Sequence, residues 1–167
     1  GKVIDFQKNE NLKVFLKNFI KENPKSLSEP DIILEDKNTI LFFEVKFRSG
    51  NDSQDYKEKW DKYFSNEYFN ETDFKDLKEY QLIRNWYIGN FLKDKRKKKF
   101  KLINLHFENK TNIEECNQKL KKFKDCIVEN ENAKFLICNW KDIFNVEDFS
   151  ENLKKWLDIR KDRKSVV

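Results

Sequence analysis

Asp31, Glu44 and Lys46 lie within "EPDIILEDKNTILFFEVKFRSG", residues 29–50, a stretch otherwise apolar enough for two buried strands. An isolated buried charge costs several kcal/mol, roughly, so three in one hairpin point to a site. Alternation along a strand puts Phe42, Glu44 and Lys46 on one face and Leu41, Phe43, Val45 and Phe47 on the other. If residues 36–38 form the loop, Asp31 lies opposite Phe43; a shift of one residue puts it opposite Glu44. Strands sit ~4.8 Å apart, so either register brings the two carboxylates close. Such a pair repels unless one member is protonated or a cation lies between them. Magnesium takes hard oxygen ligands and keeps several waters, which suits two carboxylates, a backbone carbonyl and a substrate phosphate. Lys46 would then face a negatively charged oxygen, as a charge stabiliser or as a base for metal-bound water.

These residues need a scaffold. Residues 11–22 place Leu12, Phe15, Leu16, Phe19 and Ile20 at helical spacing, and "ENPKSLSEP" ends that stripe. Strands follow over 31–35 and 39–47. Residues 49–80 form an aromatic-rich insertion, with Trp60, Tyr63 and Phe64 spaced for a short helix and its rings expected to cover the core. "LKEYQLIRNWYIGNFL" reads as an amphipathic helix, followed by the basic run "KDKRKKKFK" and a strand near 100–107. A helix over 112–128, a strand at "KFLICNW" and a helix over 146–160 complete the order. Strands alternating with helices predict an α/β fold, a mixed sheet covered on both faces in one domain over residues 1–167.

The chain has 167 residues, enough for a core without staples. Cys116, Cys126 and Cys138 are widely spaced with no companion histidine, and they read as reduced, buried hydrophobes. No apolar run is long enough to span a membrane and the first residues lack a signal-peptide core, so a soluble, cytoplasmic protein is expected. Gly1 at the start and the lack of methionine read as a trimmed or tag-derived beginning. A net charge of +5 leans towards a polyanionic partner, although 30 acidic residues offset most of the 35 basic ones.

The spacing of Pro30-Asp31 and Glu44-Val45-Lys46 resembles that of the PD-(D/E)XK nuclease superfamily, whose members include restriction endonucleases and Holliday-junction resolvases. The resemblance implies a restriction endonuclease-like three-layer sandwich with an αβββαβ core, here carrying a helical insertion. It implies metal-dependent hydrolysis of a DNA phosphodiester by an endonuclease. Asp31, Glu44 and the Val45 carbonyl would hold magnesium, with manganese as a substitute, and Lys46 would orient or deprotonate the attacking water. A glutamate of the first helix would complete the metal site, Glu10 by spacing or else Glu22. Gln81 would stand on the helix after the Lys46 strand, with Arg84 one turn on to grip a phosphate. Arg48 would border the substrate groove, and Arg96, Lys97 and Lys98 of the basic run would neutralise phosphates. Cutting both strands would call for a homodimer. The alternative is the same fold kept as a silent nucleic-acid-binding or scaffold module. His106, the only histidine, lies late on a strand and reads as structural.

Overall fold

The computed structural model describes residues 2–4, 14, 17, 18, 30–46, 63–70, 77, 79–106 and 113–139. It is an α/β structure built on a mixed sheet of five strands in the order β1-β2-β3-β4-β5. The strands are β1 (Lys2–Ile4), β2 (Ile32–Glu35), β3 (Thr39–Lys46), β4 (Lys99–His106) and β5 (Ala133–Asn139). Two helices, α1 (Tyr80–Arg96) and α2 (Ile113–Cys126), connect β3 to β4 and β4 to β5. β1, β2 and β3 pair antiparallel; β3, β4 and β5 pair parallel, as strands joined through helices must.

β1 is a strand that the sequence reading did not include. Three residues are too few for periodicity to register, and β1 holds its place by pairing Lys2, Val3 and Ile4 with Glu35, Leu34 and Ile33. Among the described residues before β2, Val14, Lys17 and Asn18 are helical and exposed. Glu10, Glu22, Arg48, Trp60 and the helix expected over 146–160 lie outside the described residues.

Buried residues line both faces of the sheet, while Leu136 and Ile137 of β5 are exposed. On one, Ile40, Phe42, Phe100, Leu102 and Phe135 meet Leu82, Ile83, Trp86 and Ile88 of α1 and Leu120 and Phe123 of α2. On the other, Ile32, Phe43, Val45, Ile103 and Leu105 form a second cluster. α1 is buried nearly all round rather than along one stripe, because residues 63–69 cover its outer side. Tyr63 packs edge-on against Tyr80 and Tyr87, Tyr68 against Tyr87, and the Trp86 indole N–H donates to the Tyr68 carbonyl at 2.9 Å. These aromatics of the expected insertion thus serve the core. Gly89 lets α1 press onto β4: a Cβ there would lie 1.9 Å from Cζ of Phe100.

The basic run is not a loop. Lys93, Lys95 and Arg96 complete the last turn of α1, Lys97 closes it in the left-handed conformation (φ 53°), and β4 begins at Lys99. The Lys98 N–H returns to the Lys93 carbonyl at 3.1 Å, so this cap takes up an end carbonyl that would otherwise lack a partner.

Candidate active site

The turn between β2 and β3 fixes where Asp31 falls. Asp36 Oδ1 accepts the amides of Asn38 and Thr39, each at 2.7 Å, and the Asp36 N–H donates to the Thr39 carbonyl at 3.0 Å. The tip is therefore Lys37-Asn38, two residues, and the strands pair Glu35 with Ile40 and Ile32 with Phe43. Continued by one residue, this register sets Asp31 opposite Glu44. Of the two registers open to the sequence, the structure adopts the shifted one, selected by the Asp36 side chain.

Continued once more, the register sets Pro30 opposite Val45. The Thr39 carbonyl faces β2, and alternation turns the N–H and C=O of Leu41, Phe43 and Val45 the same way. Proline has no N–H to give the Val45 carbonyl. The Val45 N–H instead donates to Asp31 Oδ2 at 2.7 Å. The proline-aspartate pair thus ends the ladder and ties the Asp31 carboxylate to the backbone beside Glu44.

Glu44 is 2% exposed, and both of its carboxylate oxygens are held. Oε1 pairs with Lys46 Nζ at 2.7 Å, and Oε2 accepts from Asn85 Nδ2 at 2.9 Å. Lys46 also donates to Gln81 Oε1. Gln81, Arg84 and Asn85 stand at i, i+3 and i+4 on α1, one face of the helix, laid over the ends of β3 and β4. Arg84 is 1% exposed and donates to Asn85 Oδ1 at 3.3 Å. It is built into the support of Glu44, whereas the sequence reading gave it an outward grip on phosphate. Asn85 was missed; its signal was its position four residues after Gln81, on the same helical face.

Cross-strand rows on the α1 side show how the site arises. Ile40, Phe100 and Ala133 form one row, and Phe42, Leu102 and Phe135 the next. Glu44 then neighbours Asn104, and Lys46, His106 and Asn139 form the last row. On the opposite face, Val45, Leu105 and Cys138 stay apolar at the same level. The polar change is confined to one face at the carboxyl ends of the parallel strands, where α/β sheets usually carry their sites. His106, read as structural from sequence, enters this end because β4 runs in register with β3.

The donor types at this end are those magnesium takes. Hard oxygens from two carboxylates and the Val45 carbonyl suit an ion that uses one or two carboxylates and retains water. Among the described residues no group of three or more His, Cys, Asp and Glu is placed to hold a metal ion.

Arg96, Lys97 and Lys98 stand elsewhere. Lys99 pairs with Thr39 and His106 with Lys46, so the basic run lies at the other end of the strands, about 23 Å away at ~3.3 Å per residue. There Glu35 bonds Arg96 and, at 2.6 Å, Lys98, which also donates to the Asp36 carbonyl. A cleft of about 730 Å³ adjoins this cluster, with Lys93, Lys97, Lys98, Lys99 and one acid, Asp94, in its walls. Burial raises the pKa of Glu35, but hydrogen bonds and charge from Lys98 and Arg96 outweigh it and hold the carboxyl below its ordinary value. Tyr68, partly buried and donating to Asp94 at 2.7 Å, has its phenol pushed up, by burial first and by Asp94 second.

None of the three cysteines is in a disulfide; Cys126 is buried and Cys116 and Cys138 are half-buried. Among the described residues no helix is long and apolar enough to cross a membrane. Comparison with protein-family models, with curated proteins and with solved structures gave no match.

Proposed function

We propose that this protein is a metal-dependent nuclease of the PD-(D/E)XK kind, acting on DNA phosphodiesters at the Asp31–Glu44–Lys46 end of the sheet. The observation that carries the reading is the register: Asp31 falls opposite Glu44, tied to the Val45 N–H, with Lys46 one step along the same face. Asp31, Glu44 and the Val45 carbonyl would hold magnesium or manganese, which when bound supplies a more acidic water and neutralises charge on the phosphate. Asn85 fixes the plane of Glu44 through Oε2, and Arg84 supports Asn85 in turn. Gln81 and Glu44 hold the Lys46 ammonium at the mouth of the site, where it can orient the attacking water or meet a phosphate oxygen. The lysines of the far end would add salt-dependent contacts remote from the cut.

The test is cleavage of labelled supercoiled, linear and single-stranded DNA with magnesium or manganese, beside EDTA and Lys46→Ala. Metal-dependent cutting that falls by roughly 10²–10⁴-fold in the folded variant is expected. Tight, salt-sensitive binding with no cutting would replace this reading with a silent binding module, and neither binding nor cutting would remove both.

A further inference from the structure

We infer that His106 is a substrate-contacting residue of this site, its Nδ1 donating to a non-bridging phosphate oxygen of the nucleic acid beside Lys46. The inference rests on the nuclease reading and adds a residue to it.

Three observations converge on this side chain. His106 pairs in register with Lys46 across β3 and β4, so the two side chains leave the same face of the sheet one strand spacing apart, ~4.8 Å. Second, Nδ1 is buried with no hydrogen-bond partner among the described residues. Buried polar atoms are nearly always paired, and an exception calls for an explanation such as a missing ligand. Third, the row it belongs to, Lys46, His106 and Asn139, is polar across three strands and continues the polar change that begins at Glu44 and Asn104, whereas Ile40–Phe100–Ala133 and Phe42–Leu102–Phe135 on the same face are apolar. His106 thus stands at the outer edge of the polar end of this face.

The chemistry selects phosphate over metal as the partner. Magnesium prefers oxygen, and imidazole suits softer ions. His106 is also one strand beyond β3, which carries Glu44 and Val45, on the side of the sheet opposite Asp31. An extended phosphate backbone crossing the strand ends at Lys46 would pass over β4 next. An imidazole N–H there meets a neighbouring phosphate oxygen and satisfies the orphaned nitrogen, placing the substrate without taking part in metal binding.

His106 is the chain's only histidine, so ring-labelled protein gives a single set of imidazole nitrogen resonances. The experiment adds a short DNA duplex to the full chain, with calcium in place of magnesium, and follows those resonances together with the Kd. A shift of the Nδ1 resonance is expected, with Kd weakened roughly 10- to 100-fold in His106→Ala, the loss of one hydrogen bond to a charged group. Substitution by asparagine, whose amide nitrogen falls near the place of Nδ1, should recover most of that affinity, which a purely structural role would not predict. An unmoved resonance, or a folded His106→Ala with Kd and KM within twofold of wild type, overturns the inference while leaving cleavage intact. If His106→Ala does not fold, the wild-type resonance decides. Wild-type protein that neither binds nor cuts DNA removes this inference and the nuclease reading together.

Discussion

Glu35 and Glu44 sit near opposite ends of the same hairpin, both drawn out of solvent and both paired with cations, yet their surroundings differ. Glu35 stands between two cations, Arg96 and Lys98, and all three side chains keep some contact with water. Glu44 is almost wholly buried and pairs with the Lys46 ammonium, and the Asp31 carboxylate is tied to the Val45 N–H beside it. One end has more positive than negative charge and reads as a clasp joining α1, β2 and β4. The other sets Asp31 and Glu44 among Lys46 and the buried Arg84, with neutral amides from Gln81 and Asn85 completing the support. A protein gains little stability from a buried pair of that kind, because desolvation offsets most of the attraction. The contrast teaches that pairing alone does not identify a site; depth of burial and the choice of neutral supports do.

The comparison breaks first at Lys46. Lys46→Met leaves the Glu44 carboxylate buried without its cation and should cost about 3–5 kcal/mol in urea denaturation. Adding Glu44→Leu should recover most of that loss while cleavage stays absent, since an apolar pair suits this depth better than a lone charge. If the double variant is as unstable as Lys46→Met, the Glu44 end is a structural clasp like the other. Gly89→Ala strikes α1 between the two ends: its methyl would run into the Phe100 ring, and overpacking of that kind costs about 1–3 kcal/mol or more. Thermal unfolding should show the loss, and cleavage should fall with it, because α1 carries Gln81 and Asn85 as well as Arg96.

Acid sharpens the comparison with the smallest effect. The folded-state pKa of Glu35 lies below the ordinary glutamate value of 4.5, so the unfolded chain binds this proton more readily than the folded one. The stability Glu35 contributes is therefore complete above about pH 4.5 and is lost as pH falls through the lower folded value. Glu35→Gln should lower stability at neutral pH by about 1 kcal/mol, the upper range for a partly exposed pair, and flatten the acid limb of a stability-against-pH curve. Cleavage at pH 7 should be unchanged, because the variant lies at the far end of the strands.

Much of the scaffold was legible because it rests on local patterns. Alternation placed Glu44 and Lys46 on one face, and the apolar runs with their turn residues marked β2, β3, β4 and β5 closely. Helical spacing found α1 and α2 but stopped α1 short: Lys93 to Arg96 look like a solvated loop, and they are helical because Lys97 caps the turn in a conformation no pattern announces. What was hidden depends on pairing between distant segments. The position of Asp31 needed the Asp36 side chain to choose the turn. That of His106 needed the β3–β4 register, and the burial of Arg84 needed the knowledge that α1 lies over a polar row. The basic run looked like a phosphate-neutralising cluster or a solvated helix-to-strand loop, and the parallel crossover carries it to the end of the sheet away from Lys46.

The Asp36 turn has a further consequence. Each residue added to or removed from a hairpin tip changes the phase between its two arms, and side-chain direction has only two phases. The distant tip at Lys37-Asn38 therefore acts on the Asp31–Glu44 pair as a parity bit: an even change in length preserves the alignment of the carboxylates, and an odd one turns Asp31 out of step with Glu44 without touching either residue. A surface turn at the far end of the hairpin would then be under as strict a length constraint as the site itself.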